Sequence, residues 1–370
     1  DIYWKADPSH PSDIIPAAMS ICEKLGLGGK ELILGTVIGH ELEMRMCEFC
    51  DPGIREYGWH HAALTAFVSP VVAGRLLGLD AYQIQHAIGI SASPSACMGA
   101  VTAGKLTMMK NTVDPMATRA GVEAAMLAQR GYTGPQHVLD GKEGLTHVFH
   151  HSGNKFHLEM LTDDLPHCPK CHYKILDCGM KSFPIEALSH APLSAMMKIV
   201  REHDINPDDV TEIKVEVIAR AADILGDPAK YRPTSKETAD HSLPYSLAVG
   251  LVDGMVTPLQ FKQERIEDPR LIPVMDKIKV VANQEFEKRF PEFQPSRVTI
   301  TLSSGASHSA QVDVPKGDPR DPMTEEEIKV KFDALGRDVI GAEGCDRAGE
   351  LIMQIEKEAT LENLFKALTR

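Results

Sequence analysis

Five short segments of the sequence carry histidine, lysine or tyrosine side chains where helices are predicted to begin or where two domains would meet. Histidine is the usual proton-transfer side chain near neutral pH, and a lysine beside a carboxylate stabilises its negative charge. A single residue of this kind is more typical of a helix cap or a satisfied core group. Five segments in one chain favour acid–base chemistry without proving that they converge. They are residues 10–13, 58–61, 104–110, 181–186 and 239–245.

The motifs of several large enzyme classes are missing from the sequence. It contains no G-x-G-x-x-G, no G-x-x-x-x-G-K-[ST] and no G-x-S-x-G. These motifs cradle phosphates or present a nucleophilic serine. Nucleotide-binding and serine-hydrolase interpretations therefore have no support.

Two C-x-x-C pairs are the strongest local signal for a metal. Cys47 and Cys50 form the first pair, and Cys168 and Cys171 form the second. Four-cysteine zinc sites use two such pairs, but these pairs are far apart in the chain and the first ends an amphipathic helix. The alternative is helix-packing thiols together with a surface loop, and a zinc assay would decide. Neither pair follows a strand and opens a helix, which disfavours a redox site.

Composition and charge exclude several classes of partner. The chain has 370 residues and a formal net charge of −13, which disfavours nucleic acids and anionic membranes because both need basic patches. No apolar run is long enough for a transmembrane helix, and the first residues do not resemble a signal peptide. We therefore expect a cytoplasmic protein with reduced thiols. Because residue 1 is not Met, we expect the sequence to begin inside a longer chain.

The first half of the chain has the apolar spacing of helices. The ends of these helices are indicated by proline in a first turn, by Asp80 as an N-cap and by glycines after the last turns. These helices are rich in small residues and can pack closely, so we predict an all-α bundle. The predicted helices are residues 16–25, 31–47, 62–77, 80–89 and 117–130.

The pattern changes near residue 150, where a polar stretch broken by proline predicts a loop. Beyond it, alternating apolar and polar residues predict strands, and Gly305 predicts a hairpin turn. We therefore predict an α+β segment over about residues 180–320, followed by helices that Thr324 opens with a capping box. Strands are predicted at 210–218, 277–281, 297–302 and 309–314, and helices at 192–203, 241–254, 270–275 and 324–368.

Several of these segments together resemble one protein family. Residues 236–245 (Lys-Glu-Thr-Ala-Asp-His-Ser-Leu-Pro-Tyr), followed by Val-Asp-Gly at 252–254, resemble the signature of the MmgE/PrpD family. Further blocks resemble the same family in order from residue 1 to about 315. They are residues 10–13 (His-Pro-Ser-Asp), 58–61 (Gly-Trp-His-His), 76–79, 87–90, 131–141 and 181–186 (Lys-Ser-Phe-Pro-Ile-Glu).

The resemblance implies a mostly α fold, with a large all-α domain and a smaller α+β lid domain inserted before the C-terminal helices. The expected boundaries are 1–178 for the helical domain, 179–320 for the lid, and 321–370 for helices that return to the helical domain. It also implies homodimers and catalysis without a cofactor or an essential metal. Members of the family dehydrate 2-methylcitrate, decarboxylate cis-aconitate or epimerise a related dicarboxylate.

The resemblance also suggests roles for particular residues. We expect His10 and His61 to be the acid–base pair, with His60 as the alternative to His61. Lys181 and Lys110 would hold substrate carboxylates, with Lys105 as the alternative to Lys110. Tyr245 would donate a hydrogen bond and His241 would orient it. Arg119 and Arg232 would be weaker carboxylate clamps. The two lysines and the histidines would then form a cationic pocket in an acidic protein. We expect Asp13 to be only an N-cap.

Two departures from the family pattern affect the expected reaction. Asp1 matches the last Asp of an acidic turn, so we expect a candidate catalytic Asp and the family's first helices to precede residue 1. Glu186 stands where decarboxylase-like members have His. Dehydratase-like members have Glu there with a nearby His, which His190 would supply.

The sequence therefore predicts a cofactor-independent hydro-lyase that dehydrates 2-methylcitrate or a related tricarboxylate, as in propionate catabolism. The alternatives are a cis-aconitate-type decarboxylase, a dicarboxylate epimerase on the same fold, and a non-catalytic paralogue or inactive fragment.

Overall fold

The fold is taken from a computed structural model, which describes residues 1–4, 7–103, 106–150, 153–165 and 172–369. The chain divides into two compact units. The first comprises Asp1–Cys178 and Gly336–Arg370, and the second comprises Gly179–Leu335. Residue 321, where the expected return to the helical domain begins, therefore lies within the second unit.

Helices make up most of the first unit. Their ends carry the expected local signals: Gly26 ends α1 with a φ of 65°, and Asp80 forms a capping box with Gln83 at the start of α4. Short strand pairs join β1 to β2 and β3 to β4. The elements are α1 (Ile15–Leu25), α2 (Gly29–Glu48), α3 (Ala62–Leu76), α4 (Ala81–Ala92), α5 (Val113–Gln129) and α6 (Leu145–Val148), with β1 (Tyr3–Trp4), β2 (Pro8–Ser9), β3 (Cys50–Asp51) and β4 (Lys155–Phe156).

Helix α3 lies at the centre of the first unit. Nearly all of its residues are buried, and it packs against α2, α4 and α5. The contact with α5 is close because small residues meet there. A Cβ added at Gly121 of α5 would lie 2.0 Å from the Oγ of Ser69 and 2.7 Å from the backbone nitrogen of Pro70. Small side chains therefore allow the middles of α3 and α5 to approach each other.

The second unit is built around a four-stranded sheet with the strand order β6-β5-β7-β8. Strand β5 pairs in parallel with β6 and antiparallel with β7, and β7 and β8 form an antiparallel hairpin. Helix α7 packs against β7, β8 and α10. The elements are β5 (Val210–Val217), β6 (Ile278–Ala282), β7 (Ser296–Leu302) and β8 (Ser307–Val312), with α7 (His190–His203), α8 (Ala219–Leu225), α9 (Lys236–Ala239), α10 (Leu243–Asp253), α11 (Gln263–Ile266), α12 (Ile272–Asp276) and α13 (Gln284–Glu287).

The C-terminal helices are α14 (Glu325–Ile352) and α15 (Glu362–Ala367). Thr324 and Glu327 form the predicted capping box, since each side chain bonds the other residue's backbone N–H. Helix α14 is interrupted at Gly341, whose φ is 76°. Its residues up to Leu335 group with the second unit, and those from Gly336 group with the first.

The predicted fold class, mostly α with a smaller α+β part, is confirmed. Helix α5 begins at Val113, earlier than the predicted residue 117, because Pro115 is accommodated in its first turn. The two-residue strands and α8 were not predicted, since such short elements leave little pattern. No helix of the described residues combines the length and apolarity needed to cross a membrane.

The close contact between α3 and α5 leads to a stability prediction. We expect Gly121→Ala to lower the free energy of unfolding by about 1–3 kcal/mol, because overpacking outweighs the better helix propensity of Ala. Gly349 of α14 is the matched control, since a Cβ there would meet nothing within 4 Å. Gly349→Ala should be neutral or stabilising by up to ~1 kcal/mol. Chemical denaturation measures both changes, and equal effects at the two positions would contradict the packing argument.

Candidate active site

The turn that leads into α3 buries two neighbouring histidines. Gly58 takes a φ of 86°, which lets the chain turn, and the backbone N–H of His60 then donates to the carbonyl of Cys97. His61 is the residue immediately before α3. Each histidine is only 4% exposed, and their ring centroids lie 4.0 Å apart.

His10 comes from another part of the chain to the same place. Its ring meets that of His61 edge-on, with the centroids 5.2 Å apart. Its Nδ1 lies 2.8 Å from the backbone carbonyl oxygen of Asp1. A carbonyl only accepts, so Nδ1 must carry the proton and a neutral ring has its lone pair on Nε2. The structure thus brings together the three histidines for which the sequence predicted acid–base roles.

Asp114 completes this cluster. It lies in the first turn of α5, and its Oδ1 lies 3.0 Å from the Nε2 of His61 and 3.9 Å from the Nδ1 of His60. The contact with His61 is an ion pair by distance, without the alignment of a hydrogen bond. Sequence reasoning missed Asp114, although an acidic residue at a helix start directly after the Lys110 turn was a usable signal.

Two further carboxyl groups act on His61, and Glu43 is fully buried whereas Asp13 is half-buried. Glu43 of α2 accepts hydrogen bonds from Ser9 (2.7 Å) and Thr65 (3.0 Å) through Oε1. Its Oε2 has no hydrogen-bond partner among the described residues. Asp13 lies in a 3-10 turn and its side chain does not cap α1. The expectation that Asp13 is only an N-cap is therefore corrected.

Burial and mutual charge set the protonation of this cluster. Burial alone would lower the pKa of His61, but Asp114, Glu43 and Asp13 outweigh it and raise this pKa above its ordinary value. Conversely, burial would raise the pKa of Asp114, but the contact with His61 outweighs it and lowers this pKa. The arrangement favours an imidazolium at His61 facing a carboxylate at Asp114.

The surroundings of His60, Asp13 and Glu43 favour the neutral forms of these side chains. Burial, followed by the positive charge of His61, lowers the pKa of His60 to about 3. Burial, followed by the charge of Asp114, raises the pKa of Asp13 to about 7. Burial raises the pKa of Glu43 to about 7 as well. Near neutral pH the cluster therefore holds both proton donors and proton acceptors, which is the requirement for general acid–base chemistry.

The other predicted residues of the first unit lie in different environments. Lys110 is in the 3-10 turn Met108–Asn111, and its charge contributes to the lowered pKa of His60. Lys105 lies outside the described residues. The side chain of Arg119 is 70% exposed and pairs with Glu123. Arg119 is therefore a surface residue of α5 in this unit and does not belong to the buried cluster.

The remaining predicted residues belong to the second unit. Glu186, which the family resemblance makes a candidate substrate-binding residue, accepts a hydrogen bond from the backbone N–H of Leu188 and caps a 3-10 turn. Arg232 pairs with Asp276 at the surface. Lys181 is half-buried, and its backbone carbonyl accepts from Lys331.

Three aromatic side chains of the second unit also have defined partners or surroundings. Tyr245 is fully buried, and its hydroxyl donates to the carbonyl of Gln260. Donation to a substrate would require that bond to break. His241 contacts the carboxylate of Asp240 and does not contact Tyr245 in the described hydrogen bonds. His190 is buried at the start of α7, and its Nε2 has no partner among the described residues.

Of the two C-x-x-C pairs, the described residues include only the first. Cys47 and Cys50 are fully buried, and burial raises the pKa of both thiols. Neither cysteine belongs to a group of possible metal ligands among the described residues. Cys168 and Cys171 lie outside the described residues.

Among the residues that the structure describes, two groups of side chains have ligand atoms close enough for a metal. One is His60, His61 and Asp114, and the other is Asp1, His40 and Cys178. In the first group the imidazolium of His61 already supplies the positive charge that faces Asp114.

Comparison with known proteins finds one family over most of the chain. Residues 1–158 match the MmgE/PrpD N-terminal domain, and residues 183–357 match the MmgE/PrpD C-terminal domain. A cis-aconitate decarboxylase of Aspergillus terreus is 24% identical over all of this chain and 78% of its own length. The cis-aconitate decarboxylase of Mus musculus is 25% identical over 98% of this chain and 73% of its own. A 2-methylcitrate dehydratase of Salmonella typhimurium is 22% identical over 83% of this chain and 65% of its own.

The raised pKa of Glu43 predicts how stability depends on pH. Between about pH 4.5 and 7 the folded state binds more protons at Glu43 than the unfolded state does, so this group lowers stability as pH rises through that window. Glu43→Gln removes the effect and keeps a similar shape. The variant should gain stability over the wild type by up to about 3 kcal/mol across this window.

Denaturant unfolding at several pH values measures this gain. Glu23→Gln, at an exposed position of α1, is the control and should show no comparable change. A gain for Glu43→Gln that is constant with pH, or that grows as pH falls, would contradict the assignment.

Proposed function

The chain belongs to the MmgE/PrpD family, and we propose that it is a hydro-lyase that dehydrates 2-methylcitrate or a related tricarboxylate by acid–base catalysis. The relatives, which are named as dehydratases and decarboxylases, support the proposal that the chain is a lyase. The choice of dehydration rests on the buried cluster around His61.

One observation carries the proposal. The Nδ1 of His61 is buried and has no hydrogen-bond partner among the described residues, although its ring is held as an imidazolium by Asp114. A buried donor without a partner costs about 1–3 kcal/mol. A ligand oxygen placed at Nδ1 would relieve that cost and receive the proton. His61 is therefore suited to protonate a leaving hydroxyl group.

Dehydration also needs a base. A proton leaves the carbon next to a carboxylate, the carbon–oxygen bond breaks, and the hydroxyl departs as water after it gains a proton. The neighbouring ring of His10, whose lone pair is on Nε2, is suited to take the carbon's proton. Lys110, whose charge acts on His60, is suited to stabilise the substrate's carboxylates. Only protons move to or from the protein, so the proposed steps need no cofactor.

Decarboxylation is the second candidate. It is favoured by the decarboxylase relatives, which match nearly the whole chain, whereas the Salmonella dehydratase matches 83% of it. Decarboxylation of an unsaturated acid needs a proton donor at carbon but no acid for a leaving hydroxyl. Because the cluster holds several proton donors and acceptors, it fits dehydration better than decarboxylation.

We further propose, from the family resemblance, that the protein forms a homodimer. Light scattering of the purified chain tests this proposal, and a monomer at micromolar concentration would contradict it.

The first functional prediction concerns His61 itself. His61→Gln should reduce turnover of 2-methylcitrate by about 10²–10⁴-fold, which is the usual contribution of a general acid. Turnover is measured by the ultraviolet absorbance of the new enoate, by release of CO2 from cis-aconitate, and by solvent deuterium entering the substrate. His137→Gln is the control, because His137 of the same unit is 76% exposed and pairs only with Asp140 among the described ion pairs.

The assays separate the alternatives. Formation of an enoate from 2-methylcitrate without release of CO2 would support dehydration. Release of CO2 from cis-aconitate without an enoate from 2-methylcitrate would show decarboxylation instead. Full activity of His61→Gln would overturn the site. No reaction of the wild type with any tricarboxylate, together with no deuterium exchange, would favour a non-catalytic protein.

The second functional prediction concerns pH. Asp114 is the partner that raises the pKa of His61 most, so Asp114→Asn should lower that pKa. If the imidazolium is the acid, activity is lost as pH rises through this pKa. The alkaline limb of the kcat profile should therefore move to lower pH in Asp114→Asn. Asp140→Asn is the control, and an unmoved limb in Asp114→Asn would contradict the ion-pair role.

A further inference from the structure

Three side chains from distant parts of the first unit converge beside the histidine cluster, since the carbonyl of Asp1 contacts His10. Asp1, His40 and Cys178 place a carboxylate oxygen, a ring nitrogen and a sulfur within 4.8 Å of one another. The Oδ2 of Asp1 lies 3.0 Å from the Nε2 of His40 and 3.4 Å from the Sγ of Cys178. The side chains of His40 and Asp1 are only 6% and 12% exposed.

The tautomer of His40 makes this contact unusual. Its Nδ1 lies 2.9 Å from the backbone carbonyl of Thr36, one turn earlier in α2. That carbonyl can only accept, so Nδ1 carries a proton and a neutral ring directs the lone pair of Nε2 toward the carboxylate oxygen of Asp1. Two acceptors at 3.0 Å repel each other unless a cation lies between or beside them. A second proton, on the ring or on the carboxyl group, or a metal ion would remove this repulsion.

We propose that Asp1, His40 and Cys178 form a Zn²⁺ site. Zinc is bound by carboxylate, imidazole and thiolate at about 2.0–2.3 Å, which places ligand atoms of a tetrahedral site about 3.3–3.6 Å apart. The separations of 3.0 and 3.4 Å from the Asp1 oxygen are within a few tenths of an ångström of these values. The mixed nitrogen, oxygen and sulfur set suits zinc better than magnesium or calcium, which prefer oxygen ligands alone. Binding would release the thiol proton of Cys178 to solvent and leave the fourth position for water.

The surroundings of these side chains are those of an oriented metal site. Zinc-binding histidines usually donate their second ring N–H to a carbonyl or carboxylate, as His40 does to Thr36. The carboxylate of Asp1 is fixed by Ser12, whose hydroxyl donates to Oδ1 (2.6 Å) and whose backbone N–H donates to Oδ2 (2.9 Å). This site shares no proposed ligand with the His61 cluster, so the proposal does not rest on the proposed function.

Metal titration of the reduced, chelator-treated chain tests the proposal. Co²⁺ is the probe, because a cobalt–thiolate bond gives a near-ultraviolet charge-transfer band and Zn²⁺ then displaces the cobalt. We expect one equivalent of Co²⁺ with this band. We expect Cys178→Ser to abolish the band. His40→Gln should weaken binding by more than the roughly 10–100-fold expected for the supporting variant Ser12→Ala.

Two controls make the outcome decisive. The double variant Cys168→Ser/Cys171→Ser should keep the band, because those thiols are not the proposed ligands. Zn²⁺ should raise the melting temperature of the wild type and of this double variant but not of Cys178→Ser. Circular dichroism of each metal-free variant shows whether it is folded, and the melting shift of the wild type gives an answer even if one variant is not.

The remaining outcomes overturn the proposal. A band that disappears only in the Cys168/Cys171 double variant would assign the metal to the C-x-x-C pair instead. No binding of Co²⁺ or Zn²⁺ by the wild type would leave a proton, and no metal, between His40 and Asp1.

Discussion

The candidate site depends on one electrostatic constraint, which is that charges buried around His61 must compensate one another. An isolated ionised group in a protein interior is costly, and it changes its protonation or acquires a partner. Here Asp114 and His61 hold opposite charges 3.0 Å apart, while Asp13 and Glu43 are driven toward their protonated forms near neutral pH. Removing any one group changes the protonation of the others, so the cluster acts as a unit.

That constraint is met only because helix packing places the groups together. His61 precedes α3 and Asp114 lies in the first turn of α5, and these two helices approach closely where Gly121 meets Ser69. Glu43 reaches the cluster from α2 and is held by hydroxyls of Ser9 and Thr65. The small residues of the helices therefore have a functional consequence, since they set how near the charged side chains come.

Sequence reasoning could predict the parts of this arrangement that leave a local pattern. The main helices followed from apolar spacing and end signals, and His10, His60 and His61 stood out because they lie in segments that precede predicted helices and resemble blocks of the family. Asp114 and Glu43 did not stand out and Asp13 was interpreted as an N-cap, because acidic residues at helices are usually solvated and only tertiary burial changes their pKa. Glu186 and Tyr245 show a different limit of sequence reasoning. The family motif identifies their positions, but only the fold shows that Glu186 caps a turn and that the buried hydroxyl of Tyr245 already donates a hydrogen bond.

Lys110 and the histidines of the predicted cationic pocket lie in the first unit together with several carboxyl groups. In the first unit the groups around His61 are mainly carboxyl groups, with Lys110 acting from nearby. A substrate with several carboxylates would be repelled by ionised Asp13 and Glu43, but their pKa values near 7 allow each to take up a proton instead. The negative charge of a bound tricarboxylate would raise these pKa values further, because like charges favour the neutral form. Binding of the proposed substrate would then be coupled to proton uptake, which would allow an acidic protein with buried acidic groups to accommodate a small polyanion.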